Sequence, residues 1–294
     1  MGKQPANIVA SIKARLTNIA RAKRMPFDLI LIQFVLERIL YRLSISDHRP
    51  CFILKGGMLL ITWIPDDARV TRDLDLLAHG EASEDFIRDV FIELFSMNVG
   101  DGLKFVIGEM RISPIREEME YGGYRLKTTA LLDRTRVPVT VDIGYGDAIT
   151  PTVNEIEYPV LLDMAAPKIR SYPPETVIAE KFQALVALGM TNSRMKDYYD
   201  LWALATAVDL DTKKIAAAIV ATFNRRQTEI PHAAPVGLTA EFGNDEAKIR
   251  QWRLYLESLG VEPVGLTTVV SRIADYVMPA SAIAAGRAAP NAES

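Results

Sequence analysis

Asp73 and Asp75 stand two residues apart, and Asp142 sits inside an otherwise apolar run. Side chains two positions apart on a β-strand point to the same side. If the segment from Leu74 onward is a strand, Asp73 and Asp75 aim at one spot while Leu74 faces the core. Paired carboxylates of this kind suit Mg²⁺, which takes a few of them together with phosphate oxygens. They serve phosphoryl transfer between oxygens, which requires metal held by carboxylates and a cradle for the triphosphate. Asp142 lies within residues 137–143, where an unpaired buried charge is costly. Either it completes a three-carboxylate metal set, or it turns to solvent or pairs with Arg134 or Arg136.

Lys55-Gly56-Gly57 offers the cradle. Two glycines let backbone N–H groups approach an anion closely, and a helix starting there adds its positive end. The competing reading is an ordinary glycine turn. Thr71, two residues before Asp73, is a candidate regulatory phosphorylation site. A phosphate there would add about −1.5 to −2 charge and compete with the triphosphate. Further along, Arg194, Lys196, Asp197 and Asp200 fall within an arc of roughly 160° on a helix turning ~100° per residue. Trp202 and Leu204 can anchor that helix and leave the charged arc facing a ligand. The plainer alternative is a surface helix with a Lys196–Asp200 pair, although lysine before acid is the weaker order. Lys181 follows the same logic: by itself it is a lysine laying its stem along an apolar face.

The elements that must hold these residues can be read from hydrophobic period. Residues 7–23 carry Ile8, Ile12, Leu16 and Ile19 at helical spacing, and residues 27–43 predict a second helix, nearly apolar all round, with Pro26 at its start. Residues 51–54 predict a buried strand that includes Cys51, and Met58 opens a short helix. A strand at 74–78 precedes a helix that Ser83 caps. Strands are expected around 104–107, 124–127 and 137–143, punctuated by Gly122-Gly123, and these complete a mixed sheet. After Pro173-Pro174 the pattern is helical, at about 175–189, 194–208, 212–226, 244–259 and 265–284. The expected organisation is a 1–170 domain, a 171–284 helical domain and a frayed tail at 285–294.

The chain has 294 residues, 49% of them hydrophobic, enough for one large core or two ordinary ones. Its net charge of −3 excludes a polyanion binder that works through overall charge, so nucleic-acid contact needs local basic groups. Candidates are Arg21, Lys23 and Arg24, then Lys213 and Lys214, then Arg225 and Arg226. One cysteine excludes a disulfide framework. No stretch approaches ~18 apolar residues, and no leader pattern is visible, so a soluble cytoplasmic protein without membrane contact is expected.

The order of these pieces resembles the nucleotidyltransferase core of the DNA polymerase β superfamily. Within it, the chain is most similar to the AbiEii/AbiGii toxin family, which includes the MenT-type toxins. The resemblance rests on Leu54-Lys55-Gly56-Gly57, Thr71-Arg72-Asp73-Leu74-Asp75, Val141-Asp142-Ile143-Gly144, Ile178-Ala179-Glu180-Lys181 and the segment from Arg194 to Leu201. It implies an α+β fold with two lobes, a polymerase β-type mixed-sheet core followed by a C-terminal helical lobe. It also implies two Mg²⁺ ions on Asp73, Asp75 and Asp142, with a nucleoside triphosphate as substrate. Lys55, Gly56, Gly57, Arg72, Arg194, Lys196 and Asp197 are the nucleotide-binding candidates. The family uses a lysine and an aspartate at positions matching Lys181 and Asp200. The resemblance therefore assigns Lys181 to the triphosphate and Asp200 to positioning Lys181 or the nucleotide. The family's serine after the glycines is replaced here by Met58, so one phosphate contact must come from elsewhere.

A toxin of this family is paired with an antitoxin, and several add nucleotides to the tRNA 3′ end and stop translation. Three other readings share parts of the pattern: a small-molecule nucleotidyltransferase of the antibiotic-modifying kind, a non-catalytic binding module, and a metal nuclease. A nuclease has no need of the glycine cradle, and a binding module has no need of three buried acids.

Overall fold

The computed structural model describes residues 8–64, 69–80, 83–115 and 122–288. Two compact units emerge, each drawn from separated stretches of the chain. The first comprises residues 1–59, 70–146 and 154–171, and the second residues 60–69, 147–153 and 172–294.

The first unit is built on an eight-stranded mixed sheet. Its strands are β1 (Phe52–Lys55), β2 (Leu74–Ala78), β3 (Leu103–Phe105), β4 (Arg111–Ile115), β5 (Gly123–Leu132), β6 (Thr135–Tyr145), β7 (Asn154–Glu157) and β8 (Lys168–Ser171). They run in the order β3-β5-β6-β2-β1-β8-β7, with β4 pairing to β5 beyond β3. The long β5–β6 hairpin alternates inward Leu126, Ala130, Val137, Val139, Val141 and Ile143 with polar outward residues. This is the period of a sheet with one covered face. Helices α1 (Ile8–Ala22), α2 (Phe27–Ser44) and α4 (Glu84–Ser96) supply the cover. Ser83 caps α4 by accepting from Phe86 N at 3.2 Å.

Helix α2 is buried as its apolar run predicts, but it also buries charge. Arg42 forks onto Asp101 at 2.6 and 3.1 Å, and Arg38 Nε reaches the same carboxylate at 3.2 Å. Asp101 also accepts from Leu103 N, which ties α2 to the start of β3. Glu37, one turn earlier, accepts from Leu161 N at 3.0 Å.

The second unit is helical. It holds α3 (Leu60–Trp63), α5 (Pro174–Leu188), α6 (Met195–Ala207), α7 (Thr212–Arg225), α8 (Ala240–Asn244), α9 (Glu246–Leu259) and α10 (Leu266–Ala288). The 23-residue α10 packs against α6, α7, α8 and α9 through Val269, Val270, Ile273, Val277 and Ala284. Among the described residues no helix is long and apolar enough to cross a membrane.

Two sequence expectations about these elements are corrected. Cys51 is half-buried and closes a 3-10 turn just ahead of β1, with its carbonyl accepting from His79 N. The last helix runs to Ala288 rather than to 284, while the rest of the expected tail, 289–294, lies outside the described residues, as do 1–7 at the other end. Strands β4, β7 and β8 and helix α8 were not anticipated.

Candidate active site

Strand register assembles a row of charge across the sheet. The parallel pairing of β2 with β6 sets Asp75 beside Asp142. The antiparallel pairing of β1 with β2 sets Lys55 beside Asp75, and that of β5 with β6 sets Arg125 beside Asp142. Paired positions share a face, so Lys55, Asp75, Asp142 and Arg125 cross four strands in line. Asp73, two residues before Asp75, joins them. One oxygen from each of Asp73, Asp75 and Asp142 lies within 4.8 Å of the others, and among the described residues no other group of acids, histidines or cysteines comes together this way. Leu74, Leu76, Val141 and Ile143 alternate with these aspartates and are fully buried, which fixes which face the carboxylates occupy.

The three carboxylates suit a divalent cation. The donors are all carboxylate oxygens, the set a hard ion such as Mg²⁺ prefers. Gly56 makes room for one of them. It has φ +73°, and a Cβ there would come within 2.6 Å of Asp75 Cγ. The residues present therefore fit the ion.

Around this group, Thr71 Oγ1 donates to Asp73 Oδ1, and Arg72 is exposed. Gly56–Leu59 forms a 3-10 turn rather than the start of an α-helix. Met58 is buried, and its carbonyl accepts from Tyr158 Oη at 3.1 Å, so its side chain offers nothing to a phosphate. Asp142 pairs with Arg125, not with Arg134 or Arg136. The guanidinium forks onto it with Nε to Oδ1 at 2.7 Å and Nη2 to Oδ2 at 2.6 Å. Those hydrogen bonds push the Arg125 guanidinium above its ordinary value. Arg136 instead holds Glu109 at 2.7 and 2.8 Å.

The second unit contains its own charged cluster. Lys181 Nζ on α5 donates to Asp197 Oδ1 at 2.9 Å and to Asp200 Oδ2 at 2.7 Å on α6. Arg69 forks onto Asp200 at 2.7 and 2.9 Å, and Arg194 Nε lies 2.6 Å from Asp197 Oδ2. Asp197 and Asp200 are fully buried, whereas Lys196 is exposed and the Lys196–Asp200 pair does not form. Burial depresses the Lys181 ammonium, but the two carboxylates more than offset it and hold it above the ordinary lysine value. For Asp197, burial raises the carboxyl, and Lys181 and Arg194 pull it below the usual range. Three cations thus meet two carboxylates, leaving a net positive charge suited to an anion. Arg194, Lys196 and Tyr255 line a shallow cavity of about 530 Å³ at the start of α6.

Arg125 and Arg69 are the residues that sequence reasoning missed. Arg125 was visible only as part of an alternating strand, and its partner follows from register. Arg69 meets an acid 131 positions away, and no local pattern marks it.

Comparison with known proteins agrees with this architecture. A candidate nucleotidyltransferase from H. pylori superposes with TM-score 0.52 at 14% identity, covering 90% of this chain and 97% of that one. JHP933 from Helicobacter pylori superposes with TM-score 0.51 at 16% identity, covering 87% and 94%. At these identities the likeness shows the fold. No curated protein is significantly similar to the chain in sequence. Residues 38–268 match the family described as nucleotidyl transferase AbiEii toxin, type IV toxin–antitoxin system. The chain belongs to that family, and it is a nucleotidyltransferase of the AbiEii toxin type.

Proposed function

We propose that the protein transfers a nucleoside monophosphate from a nucleoside triphosphate to the 3′ end of tRNA in a Mg²⁺-dependent reaction, and that this blocks translation until an antitoxin intervenes. The observation that carries the proposal is the convergence of Asp73, Asp75 and Asp142 from two parallel strands onto one point. These three side chains would hold two Mg²⁺ ions, whose chemistry is Lewis-acid activation and neutralisation of the triphosphate.

The acceptor hydroxyl oxygen forms a bond to the α-phosphorus while the bond from that phosphorus to the bridging oxygen breaks, and pyrophosphate leaves. The hydroxyl proton passes to the Asp142 carboxylate. Lys55 and the backbone N–H groups of Gly56 and Gly57 cradle phosphate, and the turn there provides the close approach that Met58 cannot. Arg72, exposed beside Asp73, is assigned to the same triphosphate. Lys181, Arg194 and Lys196 are assigned to its leaving portion. Asp200 and Asp197 position Lys181, which is supported by their hydrogen bonds to its ammonium.

Thr71 is assigned a regulatory role. Its hydroxyl is spent on Asp73, and a phosphate in its place would repel both the aspartates and an incoming triphosphate. Exposed Arg21, Lys23, Arg24, Lys213 and Lys214 are available to RNA phosphates, whereas Arg226 faces Glu180 at 3.3 Å and Asp147 at 3.9 Å. Binding through such groups weakens as salt rises.

The test is incubation of the purified protein with each radiolabelled triphosphate, Mg²⁺ and total bacterial RNA, with small-molecule hydroxyl acceptors in parallel. Label at the 3′ end of tRNA, absent with Asp73→Ala, is the expected result. Label on a small acceptor alone would replace tRNA with a small-molecule substrate. RNA cleavage without incorporation would overturn transfer altogether.

A further inference from the structure

Asp142 belongs to two arrangements at once. It is one of three carboxylates whose oxygens gather within 4.8 Å, and it is gripped through both of its oxygens by Arg125. The grip is built into the sheet, because the antiparallel register of β5 and β6 sets the two residues directly opposite each other. A planar guanidinium on a carboxylate is the strong form of an ion pair, with two parallel charge-assisted hydrogen bonds. The guanidinium also feels the charges of Asp73 and Asp75.

We infer that Arg125 is a resident counter-ion of the site, holding Asp142 while no divalent cation is bound and releasing it so that the carboxylate can take one up. This rests on the metal-binding role proposed for the three aspartates. Two physical facts carry it further. A guanidinium within hydrogen-bond reach of Asp142 stands a few ångströms from any cation on that carboxylate, and like charges at that range repel strongly. Arg125 also has somewhere to go: its side chain is 42% exposed, against 17% for Asp142. Release therefore requires a rotamer change toward solvent and no repacking of the core. Arg125 is thus a positioning residue that sets the occupancy of the third carboxylate.

The experiment titrates Mn²⁺ into wild type, Arg125→Gln and Arg125→Lys without nucleotide, reading free Mn²⁺ by electron paramagnetic resonance. Removing an ion pair of ordinary strength should tighten Mn²⁺ binding about fivefold in R125Q, with R125K in between because a lysine cannot fork. In EDTA, R125Q should melt below wild type, and Mn²⁺ should raise its melting temperature by more than it raises that of wild type. Equal or weaker Mn²⁺ affinity in a folded R125Q would overturn the inference and leave Arg125 a structural pair. Should R125Q fail to fold, R125K binding Mn²⁺ no tighter than wild type does the same. If wild type, R125Q and R125K all ignore Mn²⁺, the metal site itself falls, a result distinct from a wild type that binds and variants that match it.

Discussion

Gly56 lies against the Asp75 carboxylate, and nothing larger than hydrogen fits between them. Its φ of +73° is in the left-handed region, and a Cβ there would come within 2.6 Å of Asp75 Cγ. Gly56→Ala therefore meets two penalties, backbone strain and displacement of a carboxylate of the proposed metal site. The expected cost is ~1–3 kcal/mol of stability, by the usual price of a strained backbone position. Transfer should fall by about 10²-fold or more, as when a preorganised charge is removed. Thermal melting and a labelled-nucleotide assay read the two effects. Full transfer by G56A would show that the position of Asp75 does not matter.

In the second unit, Asp200 should be more important for stability than Lys181. Asp200 is buried and accepts from Arg69 twice and from Lys181 once. Asp200→Asn takes the carboxylate from a largely buried Arg69 and leaves Lys181 with Asp197 alone, and should cost about 3–5 kcal/mol. Lys181→Ala leaves Asp200 with Arg69 and Asp197 with Arg194, so it should cost less. Both should abolish most transfer. Chemical denaturation of the two variants decides the order, and a reversed order would mean that Arg69 does not hold Asp200 in solution.

Asp101 gives a third prediction, confined to the first unit. It pairs with both Arg38 and Arg42. Removing a single partner from a buried ion pair typically costs about 3–5 kcal/mol. Asp101→Asn should therefore lower the melting temperature severely, with metal affinity unchanged in whatever fraction stays folded. A near-wild-type melt would show that the arginines find other acceptors.

Glu37 makes stability depend on pH. Burial lifts its carboxyl from 4.5 to about 8, against the lowering effect of the Leu161 N–H and Gln33. Between those values the folded protein keeps a proton that the unfolded chain has released, so stability falls as pH rises. The contribution is complete below pH 4.5 and gone above about 8. The slope due to this group approaches about 1.4 kcal/mol per pH unit. Glu37→Gln should flatten the wild-type decline over that window. Parallel melting profiles for the two proteins would place the proton elsewhere.

The sequence was most legible where period and chemistry coincide. The alternation of Leu74 and Leu76 with Asp75, and of Val141 and Ile143 with Asp142, named both strands and three of the residues that the structure brings together. Long helices such as α2, α5 and α10 followed from their apolar spacing. Two short strands did not: Asn154–Glu157 at the edge is exposed or half-exposed throughout, and Lys168–Ser171 beside it buries only Ile169 and Ser171, so neither carries an apolar run.

By itself, then, the sequence determined which residues are carboxylates on strand-like alternation, where glycine relieves the backbone, and where helices replace strands. These are local properties, set within a few positions along the chain. The tertiary structure alone decided who faces whom. Arg125 meets Asp142 because two strands pair in one register, and Arg69 meets Asp200 because residues 131 apart pack together. An ion pair depends on distance in space, and no local pattern in the sequence around either arginine marks its partner.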